Sequence, residues 1–145
     1  VIALHLSCGI VNNIFSDADV PSYEKYYLGG STTVRGYGDR AIKFYEWETG
    51  KNFGGKTQMF YNLEYRIPLV KDTVSNVLFF DGGNICDKEW FMYTNNWRFG
   101  YGFGFRINTP MGMLRLDWAR RVNETYPGKE DRGQTEIHFN IGNMF

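Results

Sequence analysis

The segment from Trp97 to Asn108 alternates strictly between large apolar side chains and small or polar ones, and this alternation constrains the fold more than any other feature of the chain. Successive side chains of a β-strand point to opposite faces of the sheet, so a period of two residues predicts a strand. One predicted face carries Trp97, Phe99, Tyr101, Phe103, Phe105 and Ile107, and the other carries Arg98, Gly100, Gly102, Gly104, Arg106 and Asn108. Such contrast predicts that one face meets hydrocarbon while the other meets polar groups or a closely packed segment.

Five further segments show the same period, and none shows the 3.6-residue period of a helix. They are residues 2–11, 57–69, 75–85, 113–121 and 134–145. Aromatic residues make up 18% of the chain and there are 17 glycines, a mixture that favours strands. The sequence therefore predicts an all-β, antiparallel fold with about six strands.

The connections between these strands alternate between long and short. A loop at 12–56 is followed by a short turn near 70–74, a longer loop at 86–96, a tight turn at 109–112 and another loop at 122–133. Long outer loops and short periplasmic turns are typical of outer-membrane β-barrels. A membrane strand needs only about 9–11 residues, so the lack of any apolar run near the ~20 residues of a membrane helix is compatible with this prediction.

Six strands are too few to close a membrane barrel, because the smallest barrels have about 8. Open strand edges are unfavourable in lipid, since each unpaired backbone group there costs several kcal/mol. We therefore expect the chain to supply part of a larger barrel or to assemble with other chains. The start at Val1, without a Met or a signal peptide, favours a mature or excised piece of a longer protein.

Charge and motif content narrow the function classes. Lys and Arg total 16 and Asp and Glu total 16, so there is no basic excess that would predict a nucleic-acid partner. Cys8 and Cys86 have no spacing that supports a disulfide or a metal site, and their oxidation state stays open. No hydrolase, metalloprotease or P-loop motif occurs. We expect no enzymatic activity, no cofactor and no metal.

Four sequence motifs together resemble one family. The long loop contains Leu28-Gly-Gly-Ser-Thr-Thr-Val-Arg-Gly-Tyr37, the segment 75–85 contains Phe79-Phe-Asp-Gly-Gly83, Glu64 lies on the preceding segment, and the chain ends in an alternating, aromatic-terminated segment. This set resembles the outer-membrane protein assembly-factor superfamily, which includes BamA-type insertases, TamA-type assembly factors and two-partner secretion transporters. The resemblance covers essentially the whole chain.

The resemblance implies a 16-strand barrel preceded by POTRA domains, with this chain as its last six strands and the loop 12–56 folded into the lumen. Site residues are implied at matching positions. They are the lumen loop motif Val34, Arg35, Gly36 and Tyr37, the acids Asp81 and Glu64, the receiving residues Phe79 and Gly83, and the gate strand and C-terminal signal at Ile137, Phe139, Ile141, Gly142 and Phe145.

A pairing of Arg35 with Asp81, with Glu64 nearby, is our hypothesis for what holds the loop. Asp81 is the single charge in an otherwise apolar segment, and parity places it on the inner face with Val77 and Phe79. A guanidinium offers a planar fork of donors that a carboxylate meets bidentately. The alternative is that Arg35 lies on a solvated outer turn and Asp81 merely begins a turn.

Three further features have two interpretations each. The glycine row at 100, 102 and 104 is a weak match to a nucleotide cradle, and a bare strip of wall that an inserted loop can approach fits it better. Arg120 shares the apolar face of its strand and is expected at the membrane rim, facing lipid phosphates. Trp97 and Trp118 are expected to be interfacial anchors rather than catalytic groups.

What the resemblance implies for function is folding and insertion of β-barrel proteins through a lateral gate between the first and last barrel strands. The implied partners are unfolded outer-membrane proteins, outer-membrane lipid and accessory lipoproteins. The alternative is a pore of the same superfamily that secretes a partner polypeptide, and the motifs do not separate the two. An outer-membrane enzyme or passive porin would need a catalytic constellation or a charged constriction, and the sequence displays neither.

Overall fold

The computed structural model describes residues 1–14, 19–46, 50–71, 73–87 and 97–142. Eight strands form: β1 (Ile2–Ile10), β2 (Phe44–Glu46), β3 (Lys51–Phe53), β4 (Thr57–Val70), β5 (Val74–Cys86), β6 (Arg98–Thr109), β7 (Gly112–Arg121) and β8 (Thr135–Ile141). Six of them make one antiparallel sheet in the order β1-β4-β5-β6-β7-β8, while β2 and β3 pair separately. The all-β antiparallel class is thus confirmed. Within the described ranges, no helix is long and apolar enough to cross a membrane.

The bounds of the first five sheet strands lie within one residue of the predicted segments. Two differences occur elsewhere. The strands β2 and β3 were not expected, because three residues each are too few to display a period. The last segment was predicted to run from 134 to 145, whereas β8 ends at Ile141 and Gly142 forms a bend; residues 143–145, including Phe145, lie outside the described part of the chain.

One face of the sheet, which we call the outer face, carries large apolar side chains that no other part of the described chain covers. Leu6 is 62% exposed, Phe139 is 64% exposed, and Tyr101 and Phe103 in the middle of the sheet are 44% and 41% exposed. A continuous uncovered apolar surface spanning six strands marks a surface that meets another apolar phase or partner. The alternation predicted from sequence is therefore a difference between two environments.

The opposite face, which we call the inner face, is covered by the long connection between β1 and β4. We call this connection the inner loop (residues 11–56). Its apolar side chains pack on the sheet around one small core, which consists of Leu28, Val34, Tyr37, Ile42, Phe60 and Ile85. Backbone bridges between Tyr26 and Gly55 and between Leu28 and Ile42 hold the loop in shape.

The glycine row of β6 gives this loop room to approach. A Cβ atom at Gly100 would collide with the carbonyl oxygen of Arg35, and one at Gly104 would collide with the carboxylate of Asp117. At Gly102 it would meet the carbonyl oxygen of Trp118. The row is therefore a close-packed strip of the inner face, and Gly100 is the point at which the inner loop touches it.

We predict that Gly100→Ala displaces the inner loop and lowers the free energy of unfolding of the full-length protein by about 1–3 kcal/mol, the usual range for overpacking. The measurement is urea unfolding of the detergent-refolded protein. Gly38→Ala is the matched control, since a Cβ there would lie 3.9 Å from its nearest listed neighbour, Ala41. Equal stability of the two variants would mean that Gly100 does not set the approach of the loop.

Candidate functional site

The segment that presents Arg35 is shaped by a tight turn at the tip of the inner loop. The amide of Gly29 donates to the Thr33 hydroxyl at 2.8 Å, and the amide of Gly30 donates to the Tyr37 carbonyl at 2.9 Å. Gly29 and Gly30 have φ angles of 111° and 99°, in the left-handed region that favours glycine. The turn directs residues 33–37 onto the inner face of the sheet.

Arg35 is fully buried against carboxylates of three strands. Its Nε and Nη2 atoms donate to the two oxygens of Asp81 at 2.6 and 2.8 Å, which is the bidentate geometry. Nη1 donates to Glu64 at 2.7 Å and lies 3.5 Å from Asp117. The backbone amide of Arg35 also donates to Asp81 at 3.0 Å. The predicted contact of Arg35 with Asp81 and Glu64 is therefore present, and Asp81 binds both the side chain and the main chain of the loop.

Burial and charge act in opposite directions on this guanidinium. Burial alone would lower the pKa of Arg35, but the hydrogen bond and the negative charge of Asp81, with Asp117 and Glu64, raise it above its ordinary value. Arg35 is thus a permanent cation, and the site is built for charge complementarity rather than for proton transfer.

Three further arginines surround the same acids. Arg66 donates to Glu64 at 2.9 Å, Arg106 binds both Glu64 and Asp117, and Arg115 lies 3.4 Å from Asp117. Four guanidinium groups therefore share the three carboxylates of Glu64, Asp81 and Asp117. We call these seven side chains the inner charge network.

The sequence reasoning missed Asp117, Arg106 and Arg115 as members of this network. A signal for them existed in the tight turn at 109–112, which fixes the register of the two flanking strands. Counting back from that turn pairs Arg106 directly with Arg115, as observed. Like charges directly opposite each other are unfavourable, so an inner-facing acid beside them was required, and Asp117 supplies it.

The receiving residues Phe79 and Gly83 contact the loop in different ways. The Arg35 guanidinium carbon lies 3.7 Å from the centroid of the Phe79 ring, a cation–π contact. A Cβ at Gly83 would lie 2.6 Å from a Val34 methyl and 2.8 Å from a Leu28 methyl. Gly83 therefore leaves space for the apolar part of the loop.

Gly36 and Tyr37 dock the loop against β6 and β7. Gly36 has a φ of 96°, and a Cβ there would lie 3.0–3.1 Å from the backbone of Arg120 and Arg121. The fully buried Tyr37 hydroxyl lies 3.0 Å from the Asn123 carbonyl oxygen and 3.1 Å from that of Phe99. Burial raises the pKa of Tyr37 to about 12, so the phenol stays neutral.

A second cluster of charges joins the loop motif to the connection between β7 and β8. Arg121 donates to the Gly36 carbonyl at 2.8 Å, to Asp131 at 2.6 Å and to Glu136 at 2.9 Å. Asp131 also accepts from the Thr125 amide at 2.9 Å. Burial alone would raise the pKa of Asp131, but the bonds from Thr125 and the nearby cations lower it below its ordinary value.

The last strand contacts the inner loop through side chains. His138 Nε2 accepts from the Gly36 amide at 3.2 Å, and the Asn140 amide group donates to the Ser31 hydroxyl at 3.2 Å. Three predicted gate-strand residues lie on the outer face and are 61–69% exposed: Ile137, Phe139 and Ile141. Gly142 has a φ of 123°, and its amide donates to the Met113 carbonyl. Phe145 lies outside the described residues.

No metal-ligating group is assembled in the described part of the chain. Among the described residues, no cluster of three or more His, Cys, Asp or Glu side chains has the arrangement of a metal site. Cys8 and Cys86 are free thiols, the former exposed and the latter buried. The chemistry of the site is therefore that of a buried ion-pair network.

An antiparallel sheet with an uncovered apolar face, and an arginine-bearing loop bound on its other face, defines a segment of the kind that builds membrane β-barrels. The sequence profile of the Omp85 superfamily domain matches residues 1–145. The chain belongs to the Omp85 superfamily, so the resemblance found in the sequence is confirmed.

Three curated relatives place the chain within this superfamily. The outer membrane protein assembly factor BamA of Nitratidesulfovibrio vulgaris is 33% identical over 129 residues, covering 88% of this chain and 16% of the relative. The chloroplastic outer envelope proteins 39 and 80 of Arabidopsis thaliana are 28% and 27% identical, over 70% and 83% of this chain. They are covered over 27% and 15% of their own lengths. The chain thus spans only a small part of each relative.

We predict that Arg35→Lys lowers the free energy of unfolding of the full-length protein by about 1.5–3 kcal/mol, because lysine keeps the charge but loses the bidentate hydrogen bonds. Arg35→Ala is expected to cost more, about 3–5 kcal/mol, since it leaves buried carboxylates unpaired. Urea unfolding measures both. Arg40→Lys is the matched control, because Arg40 is exposed on the same loop. The pinning role of Arg35 fails if Arg35→Lys and Arg40→Lys have the same small effect.

The lowered pKa of Asp131 predicts a pH dependence of the second cluster. Because the folded-state pKa lies below the unfolded value, the stabilisation is complete above about pH 4 and is lost as the pH falls below it. Hydrogen exchange of the Thr125 amide should therefore accelerate below about pH 4 relative to its intrinsic rate. Asp131→Asn should remove this acid-dependent step, and Glu130→Gln, at an exposed neighbour, should retain it. An unchanged profile in Asp131→Asn contradicts the assignment.

Proposed function

We propose that the protein folds β-barrel proteins and inserts them into an outer membrane, with this chain supplying six strands of the barrel. The proposal is supported by membership of the Omp85 superfamily and by the similarity to a protein named as an outer membrane protein assembly factor. Since the chain spans 16% of that relative, the activity is assigned to the whole protein and not to this segment alone.

The proposed location is a bacterial-type outer membrane, with the outer face of the sheet in contact with hydrocarbon. This location is supported by the exposed apolar side chains on all six sheet strands. The connections at the β1–β4, β5–β6 and β7–β8 ends are long, and those at the β4–β5 and β6–β7 ends are short. By the rule for such barrels, the long connections lie on the external side.

The observation that carries the proposal is the full burial of Arg35 against acids of β4, β5 and β7. A loop bound to three strands at once fixes the inner surface of the barrel at one point. The inner loop would then be a fixed internal element, and strand movements would be confined to the edge that it does not hold as tightly.

That edge is β8, and we propose it as one side of a lateral gate. β8 pairs with β7 over seven residues, whereas β6 and β7 pair over ten. Gly142 turns the chain out of the strand at its end. An unpaired strand edge can accept an incoming strand by β-augmentation, so substrate strands could pair there without a nucleotide or cofactor. The proposed mechanism is therefore non-enzymatic.

The proposed partners follow from this mechanism. Unfolded outer-membrane proteins would supply strands to the β8 edge, and lipid would cover the outer face. Accessory lipoproteins are further proposed partners, and no nucleic acid is expected because the net charge is zero.

The function is tested by depleting the full-length protein and quantifying every outer-membrane β-barrel by mass spectrometry. We expect a general loss of barrels from the membrane fraction, restored by the wild-type gene and by Arg40→Lys but only partly by Arg35→Ala. Loss of one exported polypeptide, with the other barrels unchanged, would overturn the insertase proposal in favour of a secretion pore.

A further inference from the structure

The outer face carries one charged strand side chain among the described residues, and it is Arg120. Two hydroxyl-bearing side chains lie beside it, because Arg120 pairs with Tyr101 on β6 and with Thr135 on β8. All three belong to the same outward-facing row, and all three are exposed. The row therefore presents a guanidinium flanked by two hydroxyl groups on an otherwise apolar surface.

Arg120 is available to an external anion. No carboxylate among the described residues forms an ion pair with it, whereas the adjacent Arg121 on the inner face binds Asp131 and Glu136. The Arg120 guanidinium lies over Gly133, where a Cβ atom would be 3.1 Å from Nη2. The missing side chain at Gly133 gives the guanidinium its place on the surface.

An apolar groove begins one row below this polar row. It has a volume of about 160 Å³ and is lined by Phe103, Phe105, Leu116, Trp118 and Ile137. Trp118 pairs with Phe103 and with Ile137, so these three side chains form the row next to Arg120. Two residues along a strand span about 7 Å, which places the groove directly beneath the guanidinium.

We propose that Arg120, Tyr101 and Thr135 bind the phosphate of a lipid in the outer leaflet, with one acyl chain of that lipid in the groove. This inference rests on the membrane location in the proposed function. A guanidinium fork matches phosphate oxygens, and the hydroxyl groups add donors. β7 runs from a short turn to a long connection, so Arg120 lies at the end assigned to the external side.

The arrangement favours a lipid over a soluble anion or a protein segment. A free phosphate would use the polar row alone and leave the apolar groove empty. A lipid combines a charged head and an apolar chain in the order, and along the direction, in which the two parts of the site are arranged. A charge at this position would also cost little, since the penalty for arginine on the lipid face falls to about 0–1 kcal/mol near the interface.

The test uses the full-length protein in phosphatidylcholine vesicles that contain a small, matched fraction of dibrominated lipid. Bromine on the acyl chain quenches nearby tryptophan, and subtracting the spectrum of Trp118→Phe isolates the signal of Trp118. We expect brominated phosphatidylglycerol to bind about fivefold more strongly than brominated phosphatidylcholine, the ratio that one arginine near the surface provides.

Variants then assign the preference to the polar row. Arg120→Gln should bring the ratio to about one, and Arg120→Lys should retain part of it, because lysine keeps the charge without the fork. Tyr101→Phe and Thr135→Val should each weaken it. Arg40→Gln removes the same charge from the inner loop and should leave the ratio unchanged. A ratio that survives Arg120→Gln would overturn the assignment.

The remaining outcomes separate this inference from the proposed function. Equal quenching by both lipids overturns the phosphate site and leaves the membrane location intact, while no quenching of any tryptophan means that the protein is not in the bilayer. Quenching of other tryptophans but not Trp118 means that protein, such as a second copy of the chain, covers the groove. Loss of the preference on adding inorganic phosphate at constant ionic strength would identify a free-phosphate site instead.

Discussion

The buried pairing of Arg35 with Asp81 is the interaction on which the rest of the structure depends. Asp81 binds the guanidinium and the backbone amide of the same residue, so it fixes both the position and the orientation of the loop tip. Replacing a buried ion pair by apolar groups is often neutral or stabilising, whereas removing one partner is costly. The network is therefore better understood as a device that selects one placement of the inner loop than as a source of net stability.

The two faces of the sheet solve opposite problems with one backbone pattern. Each strand turns apolar groups to the outer face and polar or small groups to the inner face, where Glu64 and Asp117 are almost completely buried. A register slip of one residue would exchange the two sets along a whole strand. Because this would carry carboxylates and guanidinium groups to the apolar side, the inner charge network also specifies the register of the sheet.

The sequence was sufficient for the sheet strands and for the principal ion pair, since both depend on local features. Alternation located the strands, and the isolation of Asp81 in an apolar segment identified it as a partner for a cation. Asp117 and Arg106 were missed because their roles arise from cross-strand pairing, which becomes visible only when register is followed through the turn at 109–112. The short β2–β3 pair and the contact of His138 with Gly36 depend on how the inner loop folds in three dimensions, and no periodic pattern encodes that.

The peptide groups of Gly36 have a consequence for how the edge of the sheet communicates with its interior. The amide hydrogen is held by His138 on β8, while the carbonyl oxygen is held by Arg121 on β7. Two neighbouring strands thus grip opposite sides of one residue, and they cannot separate without releasing at least one of these bonds. Since Arg35 is the preceding residue, any opening of the seam is felt within a single peptide unit of the most deeply buried cation in the molecule.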